Sequence, residues 1–107
     1  MKNLLPITVV ALAACAMTSA VRAADTEAMK KAGCLACHAD DKKLVGPSYK
    51  DVAKKYAGQA DAPAKLFDKV RKGGSGVWGK VPMAPNPVSK ISDADLKVAI
   101  DYILSLK

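Results

Sequence analysis

The sequence predicts a small all-α domain, because four segments carry helix signals and the chain between the last two has the composition of a loop. The clearest helical segment lies at the C-terminus, where apolar residues repeat at helical spacing along one face. Two shorter segments, 49–58 and 62–74, end in glycine, which commonly follows a helix. The intervening stretch, 73–89, holds four glycines and three prolines, and proline removes a backbone hydrogen-bond donor. Only one domain fits within 107 residues.

The N-terminus has the pattern of a secretory signal. One lysine supplies a positive charge, an uncharged apolar run, 4–17, is too short to span a bilayer, and Val21 and Ala23 have the spacing of a cleavage site. We therefore predict a signal peptide, 1–23, and one mature domain, 24–107, exported to the periplasm. A membrane anchor is the alternative interpretation of the same segment.

A second export route is suggested by Cys15. The string LAAC, residues 12–15, resembles a lipobox, in which the cysteine is lipidated and tethers the mature protein to a membrane. Short alanine-rich strings of this kind also arise by chance in signal peptides. Cleavage after Ala23 leaves Cys34 and Cys37 as the mature cysteines. It also lowers the net charge from +7 to +5, because one lysine and one arginine leave with the signal.

The mature chain begins with a short helical segment, 25–33. Asp25 or Thr26 caps its start, acids lie in its first turn, lysines lie in its last turn, and Gly33 ends it. A cysteine motif follows at once.

The later helices carry their own start signals. Pro63 lies in the first turn of the third helical segment, where its missing N–H leaves no bond unmade. In the last segment Ser92 and Asp95 approximate a capping box. The apolar face of that segment must pack on something, most simply the N-terminal helix and a cofactor. It consists of Leu96, Ala99, Ile100, Ile103 and Leu104.

The stretch 73–89 is long for a loop without regular structure, and such loops are commonly functional or disordered. Trp78 and Met83 within it favour a packed, functional loop. The predicted core is small, since much of the apolar fraction is alanine. Small domains of this kind usually need a further stabilising element, such as a disulfide or a metal. A large buried cofactor would also serve. The aromatic side chains are Tyr49, Tyr56, Phe67, Trp78 and Tyr102.

The stretch GCLACHAD, residues 33–40, places two cysteines three positions apart and a histidine directly after the second. Zinc needs three or four protein ligands, whereas His38 is the only histidine and no second cysteine pair exists. A thiol-disulfide exchange enzyme is another interpretation, but its motif follows a strand and no strand alternation precedes Gly33. A plain structural disulfide between Cys34 and Cys37 is a third.

The pattern C-x-x-C-H is also the attachment signal of c-type heme. Two thiolates three residues apart lie on the same side of one helical turn, so both can reach the two vinyl groups along one porphyrin edge. His38 then aims its imidazole at the iron. Export agrees with this interpretation, because the attachment is completed outside the bacterial cytoplasm. We therefore predict one covalent heme c, with iron, bound by Cys34, Cys37 and His38.

A sixth ligand must be another residue type, because the chain holds one histidine. Met29 lies in the helix that leads into the motif and is too close in sequence to cross the heme. Met83 follows His38 by 45 residues in a proline-stiffened loop, which is far enough to reach the opposite face. A methionine considered alone usually packs the core. With a heme motif upstream, we predict that Met83 ligates the iron.

Four stretches taken in order resemble the short single-heme class I cytochromes c of bacteria, the cytochrome c-551 type. They are CLACH, VGPSYKDVA, GVWGKVPMAPN and the final helix, and they cover nearly the whole mature chain. The resemblance implies a small all-α fold, with four or so helices wrapped around one covalent heme and the terminal helices crossing. It also implies axial ligation by histidine and methionine.

Residue by residue, the resemblance implies thioethers at Cys34 and Cys37, the proximal ligand His38 and the distal ligand Met83. It makes the backbone carbonyl of Pro47 the acceptor for the other ring N–H of His38, which would fix the orientation of the imidazole.

The resemblance also implies supporting roles around the heme. Trp78 is expected to donate its indole N–H to a propionate, although a core aromatic is the simpler alternative. Asn86 is expected to form a hydrogen bond near the Met83 sulfur. A basic side chain near the propionates is expected too, and the sequence does not distinguish Lys69 from Arg71. Relatives often have a further proline where this chain has Ala84, so the loop should be slightly less rigid.

Two protein ligands leave the iron no open position, which predicts a one-electron carrier and no enzymatic activity. The alternative is a heme peroxidase or a gas-binding sensor with Met83 detached, but no second histidine is present to serve it. The expected partners are a respiratory donor complex and a nitrite reductase, terminal oxidase or peroxidase as acceptor.

Charge suggests how such partners would be recognised. Several lysines could surround an exposed heme edge and steer it to acidic surfaces, although they could equally serve solubility. Nucleic acid is not an expected partner, because no aromatic-basic platform is visible. We expect a monomer. The lysines in question are Lys42, Lys43, Lys50, Lys54, Lys55, Lys72 and Lys80.

Overall fold

The computed structural model describes residues 26–107, and its secondary structure there is helical without a strand. Helix α1 is described over 26–31, and the others are α2 (Tyr49–Tyr56), α3 (Ala62–Lys72) and α4 (Asp93–Ser105). A 3₁₀ turn, Cys34–Ala36, separates α1 from α2. The all-α prediction is confirmed.

Several sequence predictions concern residues outside this range. The signal peptide 1–23, the lipobox at Cys15 and the possible cap Asp25 all lie outside the described residues. Within the described chain, every helix is too short or too polar to span a bilayer.

Helix starts are set by local side-chain chemistry. Ser48 Oγ accepts a hydrogen bond from the backbone N–H of Asp51 at 3.1 Å, and Ser92 Oγ accepts one from Asp95 at 3.1 Å. Each bond satisfies a backbone donor that the first turn of a helix cannot satisfy itself. Pro63 occupies the first turn of α3, as predicted.

The core is organised around α4, against which both α2 and α3 pack. Leu96, Ala99 and Ile100 are buried on its inner face, as the helical spacing predicted. Met29 and Ala32, from α1 and its end, join the same cluster. Each large apolar side chain buried there contributes roughly 1.5–3 kcal/mol. The remaining members are Tyr49, Val52, Leu66 and Ile91.

A segment that we call the ligand loop, residues 73–91, connects α3 to α4 without regular structure. One isolated antiparallel β-bridge, between Gly74 and Met83, is the regular backbone pairing within it. The loop returns to the core at Ile91, which is 4% exposed. The prediction of an irregular stretch over 73–89 is therefore confirmed. The prediction that it is packed is met only at Gly73 and Asn86, which are buried, and in part at Met83; Trp78 and most of the other residues are exposed.

Replacing Ser92 by alanine should lower the free energy of unfolding by about 1 kcal/mol, because Asp95 loses its capping acceptor. Ser89→Ala is the matched control, since Ser89 is an exposed serine three residues earlier and should change stability by no more than about 0.5 kcal/mol. Denaturant unfolding of both variants measures the difference. Equal losses in the two variants would contradict a capping role for Ser92.

A candidate heme site

The cysteine motif is shaped by the 3₁₀ turn that follows α1. Side chains three residues apart align along a 3₁₀ helix, so Cys34 and Cys37 lie on one side of the turn. Both are free thiols; Cys37 is exposed and Cys34 partly buried. Two thiols on one side of a turn can bind one edge of a single group.

Burial raises the pKa of the Cys34 thiol above its ordinary value, and a backbone hydrogen bond and Lys90 oppose the shift only in part. A thiol-disulfide exchange enzyme needs the opposite shift, because the thiolate is its nucleophile. The electrostatics at Cys34 therefore disfavour exchange chemistry.

The His38 imidazole is oriented by the main chain that precedes α2. Its Nδ1 lies 2.8 Å from the Pro47 carbonyl oxygen, the partner expected from the sequence. A carbonyl can only accept, so Nδ1 donates the hydrogen bond, and Nε2 is the ring nitrogen left to bind a metal. Metal-binding histidines commonly use this arrangement, with the second nitrogen free for the metal.

Two further residues enclose the ring. Gly46 approaches so closely that a Cβ there would collide with the imidazole, and its N–H donates to the Cys37 carbonyl at 2.7 Å. The Tyr49 ring stacks on the imidazole with centroids 5.1 Å apart and planes 17° apart. Tyr49 is buried, and this burial raises the pKa of its phenol well above the usual range, so it stays neutral.

Neither contact was anticipated from the sequence. Gly46 appeared only within the stretch VGPSYKDVA, and Tyr49 only as a helix residue and an aromatic. The available signal was their position, one residue before and two residues after the expected acceptor Pro47.

Met83 is held by the main chain that follows α3. The N–H of Gly74 donates to the Met83 carbonyl at 2.9 Å, and the Met83 N–H donates to the Gly74 carbonyl at 2.9 Å. Gly73 is buried, and a Cβ at this position would collide with the Met83 carbonyl oxygen. The close approach therefore requires glycine.

Asn86 holds the next part of the ligand loop against α3. Its backbone N–H donates to the Val70 carbonyl at 3.0 Å, and its Nδ2 donates to the carbonyls of Val70 and Ala84 at 3.3 and 3.1 Å. Both amide hydrogens therefore have carbonyl acceptors. The expected hydrogen bond near the Met83 sulfur stays a prediction.

Two cations were candidates for contact with a propionate. The Arg71 guanidinium donates to the carbonyls of Asn86 and Ile91 and to the Asp93 carboxylate. Lys69 extends toward Gly74, where an added Cβ would lie 3.7 Å from its Nζ. Arg71 thus serves the protein's own acceptors, while Lys69 lies beside the ligand loop.

Trp78 lies in the ligand loop, 44% exposed, with the Lys55 ammonium 5.3 Å from the centre of its ring. Other large apolar residues are exposed in the ligand loop or in the segment between His38 and Pro47. They are Leu44, Val45, Val77, Val81 and Val88.

These observations together test whether the residues fit a heme. The donors are two thiols, one imidazole nitrogen and one thioether, which are the groups that attach and ligate c-type heme iron. The segments that carry His38 and Met83 also present apolar side chains, as an apolar macrocycle requires. Within residues 26–107, no group of three or more His, Cys, Asp or Glu residues could hold a metal ion alone. The donor set fits heme and not a zinc site.

Comparisons with known proteins agree with this chemistry. Residues 23–107 match the family model described as Cytochrome c. The chain is 55% identical over 82 residues to a cytochrome c2 of Rubrivivax gelatinosus, an alignment covering 77% of this chain and 96% of that protein. It is 47% identical over 107 residues to a cytochrome c-552 of Hydrogenobacter thermophilus, with both chains fully covered.

A solved structure shares the fold. The crystal structure of wild-type Nitrosomonas europaea cytochrome c552 superposes with a TM-score of 0.70 at 49% identity, covering 77% of this chain and 99% of that one. The small all-α fold expected from the resemblance is therefore confirmed.

Gly46→Ala should displace the His38 ring, because the added Cβ would collide with it, and should destabilise the protein by about 1–3 kcal/mol. Proton NMR of the heme-loaded protein should show shifted signals from the His38 ring. Gly58→Ala is the control, because Gly58 has φ of 75° and open space around it. It should cost about 1–2 kcal/mol through backbone strain alone. Unchanged His38 signals in Gly46→Ala would contradict the close packing.

Proposed function

The chain belongs to the cytochrome c family, and from that premise we propose that it is an exported one-electron carrier whose heme iron is closed by His38 and Met83. Proteins of this family carry one covalent heme c and transfer electrons; the relatives named above are cytochromes c, not enzymes. The observation that carries the proposal is the fixed His38 ring, whose Nδ1–H is bound by Pro47 so that Nε2 is left for iron.

Each residue of the site has a defined task in this proposal. Cys34 and Cys37 form the two thioether bonds, His38 is the proximal ligand and Met83 the distal ligand. When bound, heme c supplies an iron that gains and loses one electron. Ligation by histidine and methionine raises its reduction potential.

The main chain of this protein is suited to holding both ligands still. Gly46, Pro47 and Tyr49 surround the proximal imidazole. Gly74 forms two hydrogen bonds with the backbone of Met83, and Gly73 packs closely against the Met83 carbonyl. Ligands that keep their positions in both oxidation states lower the reorganisation cost of electron transfer. A fixed sixth ligand also prevents small molecules from reaching the metal.

Two residues are proposed to contact the propionates. Trp78 is the expected indole donor, and Lys69 is the cation we favour. Arg71 is a poorer candidate, because its guanidinium already donates to two carbonyls and a carboxylate of the protein.

Partners are proposed to be redox proteins with acidic surfaces. The seven lysines named above give the surface a basic character, and all but Lys50 are exposed. Long-range attraction between basic and acidic surfaces raises association rates and weakens with salt. The donor would be a respiratory complex, and the acceptor a reductase, oxidase or peroxidase that meets a monomeric carrier.

Carbon monoxide binding to the reduced, heme-loaded protein tests the closed iron. The wild type should show no spectral change, whereas Met83→Ala should bind carbon monoxide promptly and have a lower reduction potential, because the thioether is lost. Met29→Leu is the matched control, since Met29 is buried in the core at 2% exposure and should leave the iron closed. Prompt binding by the wild type would favour a peroxidase or a gas-binding sensor.

Export predicts a defined N-terminus for the mature protein. Mass spectrometry of the protein from the periplasmic fraction should give a chain that begins at Ala24, because cleavage follows Ala23. A lipidated chain beginning at Cys15, recovered with membranes, would replace this interpretation with the lipobox. Retention of residues 1–23 would contradict both.

A further inference from the structure

We propose that Arg71 is the positioning residue that keeps Met83 in place, by binding the C-terminal part of the ligand loop to α3 and α4 at once. The inference rests on the proposed ligation by Met83. No ligand contact is assigned to Arg71; it acts through the main chain.

The contacts of Arg71 join three parts of the molecule. From α3, its Nη1 donates to the carbonyls of Asn86 at 3.1 Å and Ile91 at 2.8 Å, and its Nη2 donates to Asp93 Oδ1 at 2.6 Å. The first two acceptors lie in the ligand loop, and Asp93 is the first residue of α4. The guanidinium also lies 5.2 Å from the centre of the Phe67 ring.

The ion pair between Arg71 and Asp93 differs from an ordinary surface pair. The Arg71 side chain is only 14% exposed, whereas Asp93 is 65% exposed. The pair Lys65–Asp61, in the same helix region, is 55% and 63% exposed. Exposed pairs contribute little to stability, whereas a buried carbonyl that loses its donor stays desolvated without a hydrogen bond, which is costly. The two hydrogen bonds to carbonyls, more than the ion pair with Asp93, should therefore account for the contribution of Arg71 to the position of the ligand loop.

Only arginine can make this set of bonds. Its planar guanidinium presents five N–H donors in a fixed fork, so one side chain can serve acceptors in different segments. Lysine keeps the positive charge but concentrates its donors on one nitrogen at the end of a flexible chain. Arg71→Lys therefore keeps the positive charge but loses the fixed, planar arrangement of N–H donors.

A short, constrained path leads from Arg71 to Met83. Asn86, whose carbonyl Arg71 binds, also donates to Val70 and Ala84, and only Ala84 and Pro85 separate it from Met83. At the other end of the loop, Gly74 and Met83 exchange two hydrogen bonds. Met83 is therefore held from both sides by the C-terminal end of α3, and Arg71 supplies the longer-range part of one side.

The test measures how readily an external ligand displaces the thioether from iron. Imidazole is titrated into the oxidised, heme-loaded protein, and the charge-transfer absorption from methionine to ferric iron is recorded. Arg71→Lys should bind imidazole about tenfold more tightly than the wild type, which is about 1.4 kcal/mol, and should weaken the charge-transfer band. Asp93→Asn should stay within about threefold of the wild type, because the carbonyl bonds remain.

Two controls separate positioning from general stability. Lys65→Ala removes an exposed cation of α3 and should leave the imidazole affinity unchanged. Val52→Ala removes buried volume from α2 and should lower the unfolding free energy without raising the imidazole affinity. If Arg71→Lys fails to fold, Arg71→Gln, which keeps two donors without charge, should shift the affinity in the same direction.

The outcomes distinguish this inference from the function on which it rests. An imidazole affinity of Arg71→Lys equal to that of the wild type, or no higher than that of Val52→Ala, would overturn the role of Arg71 alone. A wild type that binds imidazole as readily as Met83→Ala would show that Met83 is not the ligand. That result would overturn the proposed closed iron, and the role of Arg71 with it.

Discussion

The buried face of α4 is the constraint on which the rest of the described structure depends. Leu96, Ala99 and Ile100 are at most 3% exposed, and both α2 and α3 pack against this helix. Helix α2 begins directly after the segment that orients His38, and α3 ends at Gly73 and Gly74, which contact the Met83 backbone. One apolar face therefore packs together the two helices beside which His38 and Met83 lie, 45 positions apart in the chain.

Backbone atoms make most of the contacts that hold His38 and Met83, and nearby glycines leave room for these contacts. A carbonyl orients the imidazole, and glycines allow the backbone to approach both the His38 ring and the Met83 carbonyl. Backbone groups have no side-chain rotamers, so contacts made by them have little freedom to relax. If His38 and Met83 are the ligands, as proposed, contacts of this kind would keep them in place, which suits electron exchange better than substrate binding. Arg71 is the exception, because there a side chain links segments that the backbone alone does not join.

Local features were predictable from the residue pattern, whereas most tertiary contacts were not; the His38–Pro47 contact was expected only from the resemblance. The cap of α4 at Ser92 and the stop of α1 before Gly33 depend on neighbouring residues, so the pattern located them. The stacking of Tyr49 on His38 depends on how the segment before α2 folds back, which no spacing encodes. The resemblance offered Arg71 and Lys69 equally as the cation near the propionates. Only the packing of α3 against the ligand loop distinguishes the role of Arg71 from that of Lys69.

The proposed closure of the iron requires the Met83 sulfur to stay bound in both oxidation states. Iron-edge X-ray absorption of the heme-loaded protein, recorded after full oxidation and after full reduction, measures this without any variant. We expect a sulfur scatterer beside the nitrogen shell in both states, with nearly unchanged distances, because the backbone around Met83 and His38 is fixed. Absence of the sulfur scatterer in either state would contradict closure of the iron by Met83.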